Sequence, residues 1–137
     1  MPEPVEAVVS VSETLARADL ARVRDWAGEG EVDSEFGELP LILRLGHLGT
    51  TFARAAAALA ASERRDVLAA VEDVVARGTD ADQTAMTTGF LEAVQHAHGD
   101  EFDMQTIWPD MGPQSREFCL MMDRRWGIES PEWMRSS

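Results

Sequence analysis

The chain has no lysine, no asparagine and no tyrosine, and its single cysteine is Cys119. Without lysine there is no Schiff-base nucleophile, no P-loop lysine and no Ser-Lys dyad, which closes three routes to covalent or phosphate chemistry. One cysteine excludes an internal disulfide and fits a reducing compartment. The three missing residue types share AT-rich codons while alanine reaches 19, a pattern that points to a GC-rich genome and not to selection for arginine chemistry. Base is also scarce, since 12 arginines face 25 Asp and Glu for a net charge of −13. Phosphate backbones and anionic surfaces are bound through clustered Lys and Arg, so neither nucleic acid nor an anionic membrane is an expected partner. Long apolar runs are missing too. No stretch approaches the roughly 18 residues of a membrane span. The opening Met1-Pro2-Glu3-Pro4-Val5-Glu6 carries acid where a secretory signal carries base. The expected location is the cytoplasm.

Leu, Ile, Val and Phe together number 30 of 137 residues, just above the roughly 20% below which a highly charged chain stays disordered. The chain is therefore expected to fold, with a small core, as a single helical domain over residues 1–137. Strand-like alternation appears only at Val9-Ser10-Val11-Ser12, too short to define a strand. Helical spacing dominates everywhere else.

The spacing predicts a helix over residues 12–27, capped by Ser12 and stopped by Gly28, with residues 5–11 as a backward extension. Residues 28–38 hold Glu29, Glu31, Asp33, Glu35 and Glu38 without one base and read as an acidic loop. Pro40 opens what should be the longest helix, to about residue 61, with Leu41, Leu45, Leu48, Phe52, Ala55 and Leu59 on its apolar side. A second stripe, Gly46, Gly49, Ala53, Ala56 and Ala60, has only small residues and suits either a closely packed neighbour or a kink at 46–49.

Ser62 is the expected cap of a helix ending at Arg77 and Gly78, with Val67, Leu68, Val71, Val74 and Val75 inward. Asp80 with Gln83 resembles a capping box for the next helix, which runs to about His98 with Met86, Phe90, Val94 and Ala97 inward. Asp103 caps a short turn ending near Trp108-Pro109, and Gly112-Pro113 opens a last helix stopped by Gly127. Residues 128–137 form a tail short enough to fray. The fold class is all-α, a compact bundle of five to six helices, with a HEAT-like stack of helix pairs as the alternative.

The three histidines do not make a metal site on spacing. His96 and His98 point about 200° apart around a helix, and Glu92 with His96 at i, i+4 has no second pair to complete a ligand set. Cys119 has no Cys-x-x-Cys partner and reads as a buried structural thiol. A Gly-x-Ser-x-Gly elbow and Gly-rich phosphate loops are absent, so no catalytic residue, metal or cofactor is assigned. Arg44, His47, Thr51 and Arg54 line up at spacing 3, 4, 3. Arg44, His47 and Arg54 are accordingly candidates for holding an anion, and pairing with acids such as Asp66 and Asp73 is the alternative.

A second acidic cluster, Asp100, Glu101, Asp103 and Asp110, is interleaved with Phe102, Met104, Ile107 and Trp108. Acid around exposed rings is the composition on which a basic protein surface docks, with charge steering the encounter and Trp108 supplying buried contact. If Phe102, Ile107 and Trp108 are core, the acids only keep the surface soluble. The stripe Phe118, Met121, Met122, Arg125 and Trp126 reads as core.

Residues 88–127 contain Thr88-Gly89-Phe90-Leu91-Glu92-Ala93, then Met111-Gly112-Pro113-Gln114-Ser115-Arg116-Glu117-Phe118-Cys119, then Asp123 to Gly127. This pattern resembles a family of small bacterial all-helical proteins that are immunity-protein-like. The resemblance implies a helical fold and a role as the antidote to a toxin encoded nearby, and it brings no catalytic residues. The leading expectation is a non-enzymatic, protein-binding inhibitor whose acidic residues 29–38 and 100–110 meet a basic partner. The alternatives are a small-ligand or metal-binding bundle, with enzymatic activity included, and a homo-oligomer assembled through the Met- and Trp-rich C-terminal region.

Overall fold

Pro4 sits in the first turn of α1 (Pro4–Val9), where a missing N–H is tolerated, and Glu3 caps that turn by accepting from the Glu6 N–H at 2.8 Å. The computed structural model describes residues 3–29, 39–100 and 102–135, with the side chains of residues 28 and 29 excepted. The acids Glu31, Asp33, Glu35, Glu38 and Glu101 and the carboxylate of Glu29 therefore lie outside the described residues. Helix α2 (Glu13–Glu29) is separate from α1, not its continuation. Ser12 divides them: its hydroxyl accepts from the Leu15 N–H at 3.2 Å and donates to the Glu63 carboxylate, far along the chain, at 2.7 Å. The backbone stays helical through Gly28, which was expected to stop it.

Helix α3 (Leu41–Ala55) has 15 residues and is shorter than α2 and α4 (Ala61–Arg77), which have 17 each, so the expectation of a longest helix to residue 61 fails. The physical reason lies on another helix. Arg64 donates to the carbonyls of Ala56 at 2.8 Å and Leu59 at 2.7 Å, satisfying acceptors that continued α-helix would otherwise have used. Ser62 falls inside the first turn of α4 and makes no cap, because Ala60 occupies that position. Thr79, not Asp80, caps α5 (Asp80–Thr84) by accepting from the Asp82 N–H at 3.2 Å.

Helix α5 runs without a break into a π-helical stretch, Ala85–Leu91, and then into α6 (Glu92–Ala97). At the register change Thr87 shares its hydroxyl proton between the carbonyls of Gln83 at 2.9 Å and Thr84 at 3.2 Å. The π stretch is the neighbour that the small-residue stripe on α3 admits. A methyl group added at Gly89 would lie 2.9 Å from both the Ile42 carbonyl oxygen and the Leu45 Cβ, and one at Gly49 would collide with the Phe90 carbonyl. Gly89 meets Ile42 and Leu45, and Ala93 then meets Gly49, so α3 and α6 run in the same general direction. Helix α3 continues unbroken across Gly46 and Gly49, and close packing, not a kink, is what the glycines provide.

The core forms where these faces converge. Leu45, Leu48 and Phe52 from α3 meet Val67, Val71 and Val74 from α4 and Met86, Phe90 and Val94 from the long helical rod, with the Phe52 and Phe90 rings 5.8 Å apart. Two short 3-10 turns, Met104–Thr106 and Trp108–Asp110, lead into α7 (Pro113–Arg125), and Asp103 caps the first by accepting from the Gln105 N–H at 2.9 Å. Gly127, at φ +71°, ends α7 as expected. The described part of the tail, residues 128–135, is folded against the bundle. It forms α8 (Glu132–Arg135), with Met134 buried and the Trp133 ring edge-on to Trp108 at 5.6 Å. The architecture is an all-α bundle without a strand among the described residues, and no described helix is long and apolar enough to cross a membrane.

Candidate functional site

The arginine-histidine row on α3 divides. Arg44 turns toward α2 and holds Asp19 with two bonds of 2.7 Å each, a bidentate pair that keeps the buried carboxylate of Asp19 neutralised. The acid it uses is thus Asp19 and not Asp66 or Asp73, the latter being paired with Arg77. Arg44 leaves the anion-binding set. His47 and Arg54, with Thr50 between them, face instead into an open groove of about 570 Å³ between α3 and the π stretch with α6. Glu92, His96 and Asp100 line the opposite side, and Gly46 and Gly89 leave room at its base. Among the described residues the side chains of His47, Thr50 and Arg54 make no hydrogen bond or ion pair.

His96 and His98 diverge as their spacing requires. The His96 Nε2 lies 3.9 Å from Glu92, and its ring packs 4.8 Å from Trp126. His98 Nδ1 accepts from the Met104 N–H at 3.0 Å. The same nitrogen lies 3.9 Å from Asp103 Oδ1. No group of three or more His, Cys, Asp or Glu able to hold a metal exists among the described residues.

The acid-aromatic cluster is sorted differently from the expected docking surface. Trp108 is only 3% exposed, and Phe102, Met104 and Ile107 are buried with it. Arg116 covers the Trp108 ring at 5.4 Å and donates to the Trp108 carbonyl at 2.8 Å. Trp108 is core and presents almost no surface, unlike the exposed ring expected of a docking surface. Asp100 and Asp103 remain on the surface, while Asp110 is half-buried in the second 3-10 turn. The stripe on α7 is likewise mixed, because Met122 is buried while Met121 and Trp126 are exposed.

One cavity was not expected. Its walls are the C-terminal turns of α6 and α7 and the segment reaching α8, and its volume is about 720 Å³. Trp126, Trp133, Met104 and Met134 supply aromatic and thioether surface, and Asp123 contributes a carboxylate that is only 6% exposed. Asp123 Oδ1 accepts from the Gln95 side-chain amide at 2.9 Å and Oδ2 from the Ser130 hydroxyl at 2.7 Å. The available signal was Trp126 three residues after Asp123, one helical turn on the same face; Trp133 lay in the stretch read as a tail. Nearby, Cys119 is the buried thiol expected, its pKa pushed up to about 12 by burial and secondarily by the charge of Asp123.

Fold and sites together define an acidic helical domain with two surface cavities and no metal cluster among the described residues. Residues 21–127 match the family model of the domain of unknown function DUF7674, and the chain belongs to that family. The match takes in residues 88–127, which carry the sequence resemblance, and reaches back into α2. No curated protein and no solved structure matches the chain.

Proposed function

We propose that this protein is a non-enzymatic binding protein that docks a partner with a basic surface. The observation that carries this reading is the excess of acid, 25 Asp and Glu against 12 Arg, from which three arginines are further withdrawn by contacts inside the fold. Arg44 is committed to Asp19, Arg64 to the carbonyls of Ala56 and Leu59, and Arg116 to those of Trp108 and Pro109. Exposed acids such as Asp66, Asp80, Asp100, Asp103 and Glu117 are left to set the outer field, which steers a cationic partner and repels nucleic acid. With Trp108 in the core, apolar contact falls to other residues. Ile42 and Leu43 are exposed, Leu43 at 55%, only a few residues after the acidic run that ends at Glu38. Acid beside exposed aliphatic side chains combines long-range steering with short-range burial.

The most specific form of the proposal, drawn from the sequence resemblance, is an immunity-type inhibitor that covers the basic cleft of a cognate toxin. Its test is co-purification with the product of the adjacent gene. A complex that survives gel filtration supports the proposal; an ordinary metabolic enzyme next door and no complex removes it. A second reading, binding of a small anion, is favoured by the unpartnered His47, Thr50 and Arg54 in one groove. It requires that Arg54→Ala weaken carboxylate binding measured by calorimetry, and an unchanged affinity would dismiss it.

A further inference from the structure

Asp123 is a buried carboxylate without a counter-cation. Both partners of its oxygens, the Gln95 amide and the Ser130 hydroxyl, are neutral, and no described arginine forms an ion pair with it. Arg124 and Arg125 follow it directly on α7, and both are exposed. The two Gln95 amide protons are committed to Asp123 and the Cys119 carbonyl, so the amide cannot be turned around, and its Oε1 is buried with no partner at all. Two electron-rich groups thus sit together behind one wall, where the surroundings screen charge poorly.

That wall belongs to the aromatic cavity. Trp126 and Trp133 line it, the His96 ring packs against Trp126 at a tilt of 52°, and Met104 and Met134 add polarisable sulfur. The basic groups facing the cavity are imidazoles: His98 Nδ1 is taken up by the Met104 N–H, and His96 has Glu92 beside it. Trp126 lines the cavity and is 37% exposed. Aromatic faces around a desolvated carboxylate form the arrangement that recognises organic cations. They do not suit a hard metal ion, which asks for several oxygens, or an anion, which Asp123 would repel.

We propose that this cavity binds the ammonium head of an organic cation, seated against Trp126 and Trp133 and neutralised by Asp123. The volume of about 720 Å³ admits a small molecule, and equally the end of a lysine side chain from a docked protein. Ile42 and Leu43 do not line the cavity, which shares only His96 with the groove they border, so its occupancy is tested separately from partner docking.

The test is isothermal titration of the full chain with choline, with N-acetyl-lysine methylamide and with 3,3-dimethylbutan-1-ol, the uncharged isostere of choline, at about 150 mM salt to suppress loose attraction to the acidic surface. One ammonium compound should bind at least roughly tenfold more tightly than the alcohol. A preference for choline identifies a free ligand, and a preference for the lysine derivative identifies a protein side chain; either supports the proposal. Trp126→Ala and Asp123→Asn should each weaken binding by roughly tenfold. If Asp123→Asn unfolds the chain, Trp126→Ala decides alone, since Trp126 lies at the surface. Equal binding of alcohol and ammonium, no ammonium binding at roughly 10 mM, or binding unchanged in the folded variants would overturn it.

Discussion

Glu72, in the middle of α4, accepts from both the backbone N–H and the hydroxyl of Ser115, at 2.9 and 2.8 Å, and so caps α7 from another helix. Its other oxygen takes the Gln114 N–H at 3.0 Å. A carboxylate placed on the free N–H groups at the start of a helix satisfies donors that nothing nearby in sequence serves, and it meets the positive end of the helix dipole. Gly112 makes the approach feasible, because a side chain there would collide with Glu72. Glu72→Ala should cost about 2 kcal/mol in urea unfolding, whereas Asp66→Ala, on the exposed face of the same helix, should stay within about 0.5 kcal/mol. Equal effects would mean that α7 is held by packing alone.

The backbone contact between α3 and the π stretch makes a prediction of opposite sign from helix propensity. Replacing a glycine by alanine inside a helix ordinarily stabilises it by about 1 kcal/mol. Gly49→Ala and Gly89→Ala should instead destabilise by about 1–3 kcal/mol, because the new methyl meets the Phe90 carbonyl or the Ile42 carbonyl and forces the helices apart. Denaturant midpoints settle the sign, and a stabilised variant would refute the close packing.

The missing lysine and tyrosine make Cys119 easy to isolate in alkali. Its thiol pKa is raised from 9.0 to about 12 in the folded chain. Between those values the unfolded chain releases this proton and the folded chain keeps it, so the native state binds more protons and stability falls as pH rises. The stabilisation is complete below pH 9 and lost as pH approaches 12, at on the order of 1 kcal/mol per pH unit. Lysine and tyrosine, which normally titrate in this window, do not occur here. Cys119→Ala should flatten the decline seen in urea titrations at successive pH values, and alkylation of the native thiol at pH 8 should proceed only as fast as unfolding. Rapid modification of folded protein would contradict a buried, protonated thiol.

Features fixed within three or four residues were legible before any coordinates. Ser12 caps α2, Asp103 caps its 3-10 turn, Gly112-Pro113 opens α7, Gly127 closes it, and the glycine-alanine stripe admits a close neighbour. Features set by distant side chains were not. Helix α3 stops where Arg64 from α4 takes the carbonyls of Ala56 and Leu59 just beyond it, and the docked tail depends on Trp133 meeting Trp108 across 25 residues of sequence. The π register needs tertiary packing against α3 and leaves no mark in apolar spacing. Of the anion row, His47 and Arg54 share a groove while Arg44 serves Asp19, a partner 25 residues earlier that helical spacing on α3 cannot reveal. Composition identified rings among acids at 100–110, but it carries no information on which way a ring faces, and Trp108 faces inward.

Steering of a basic protein partner by the acidic exterior is tested most directly by association kinetics. Stopped-flow mixing with the product of the adjacent gene should give an association rate that falls by roughly ten- to a hundredfold between about 10 mM and 500 mM NaCl, with dissociation changing far less. An association rate indifferent to salt, or the absence of any complex at low salt, would contradict the account.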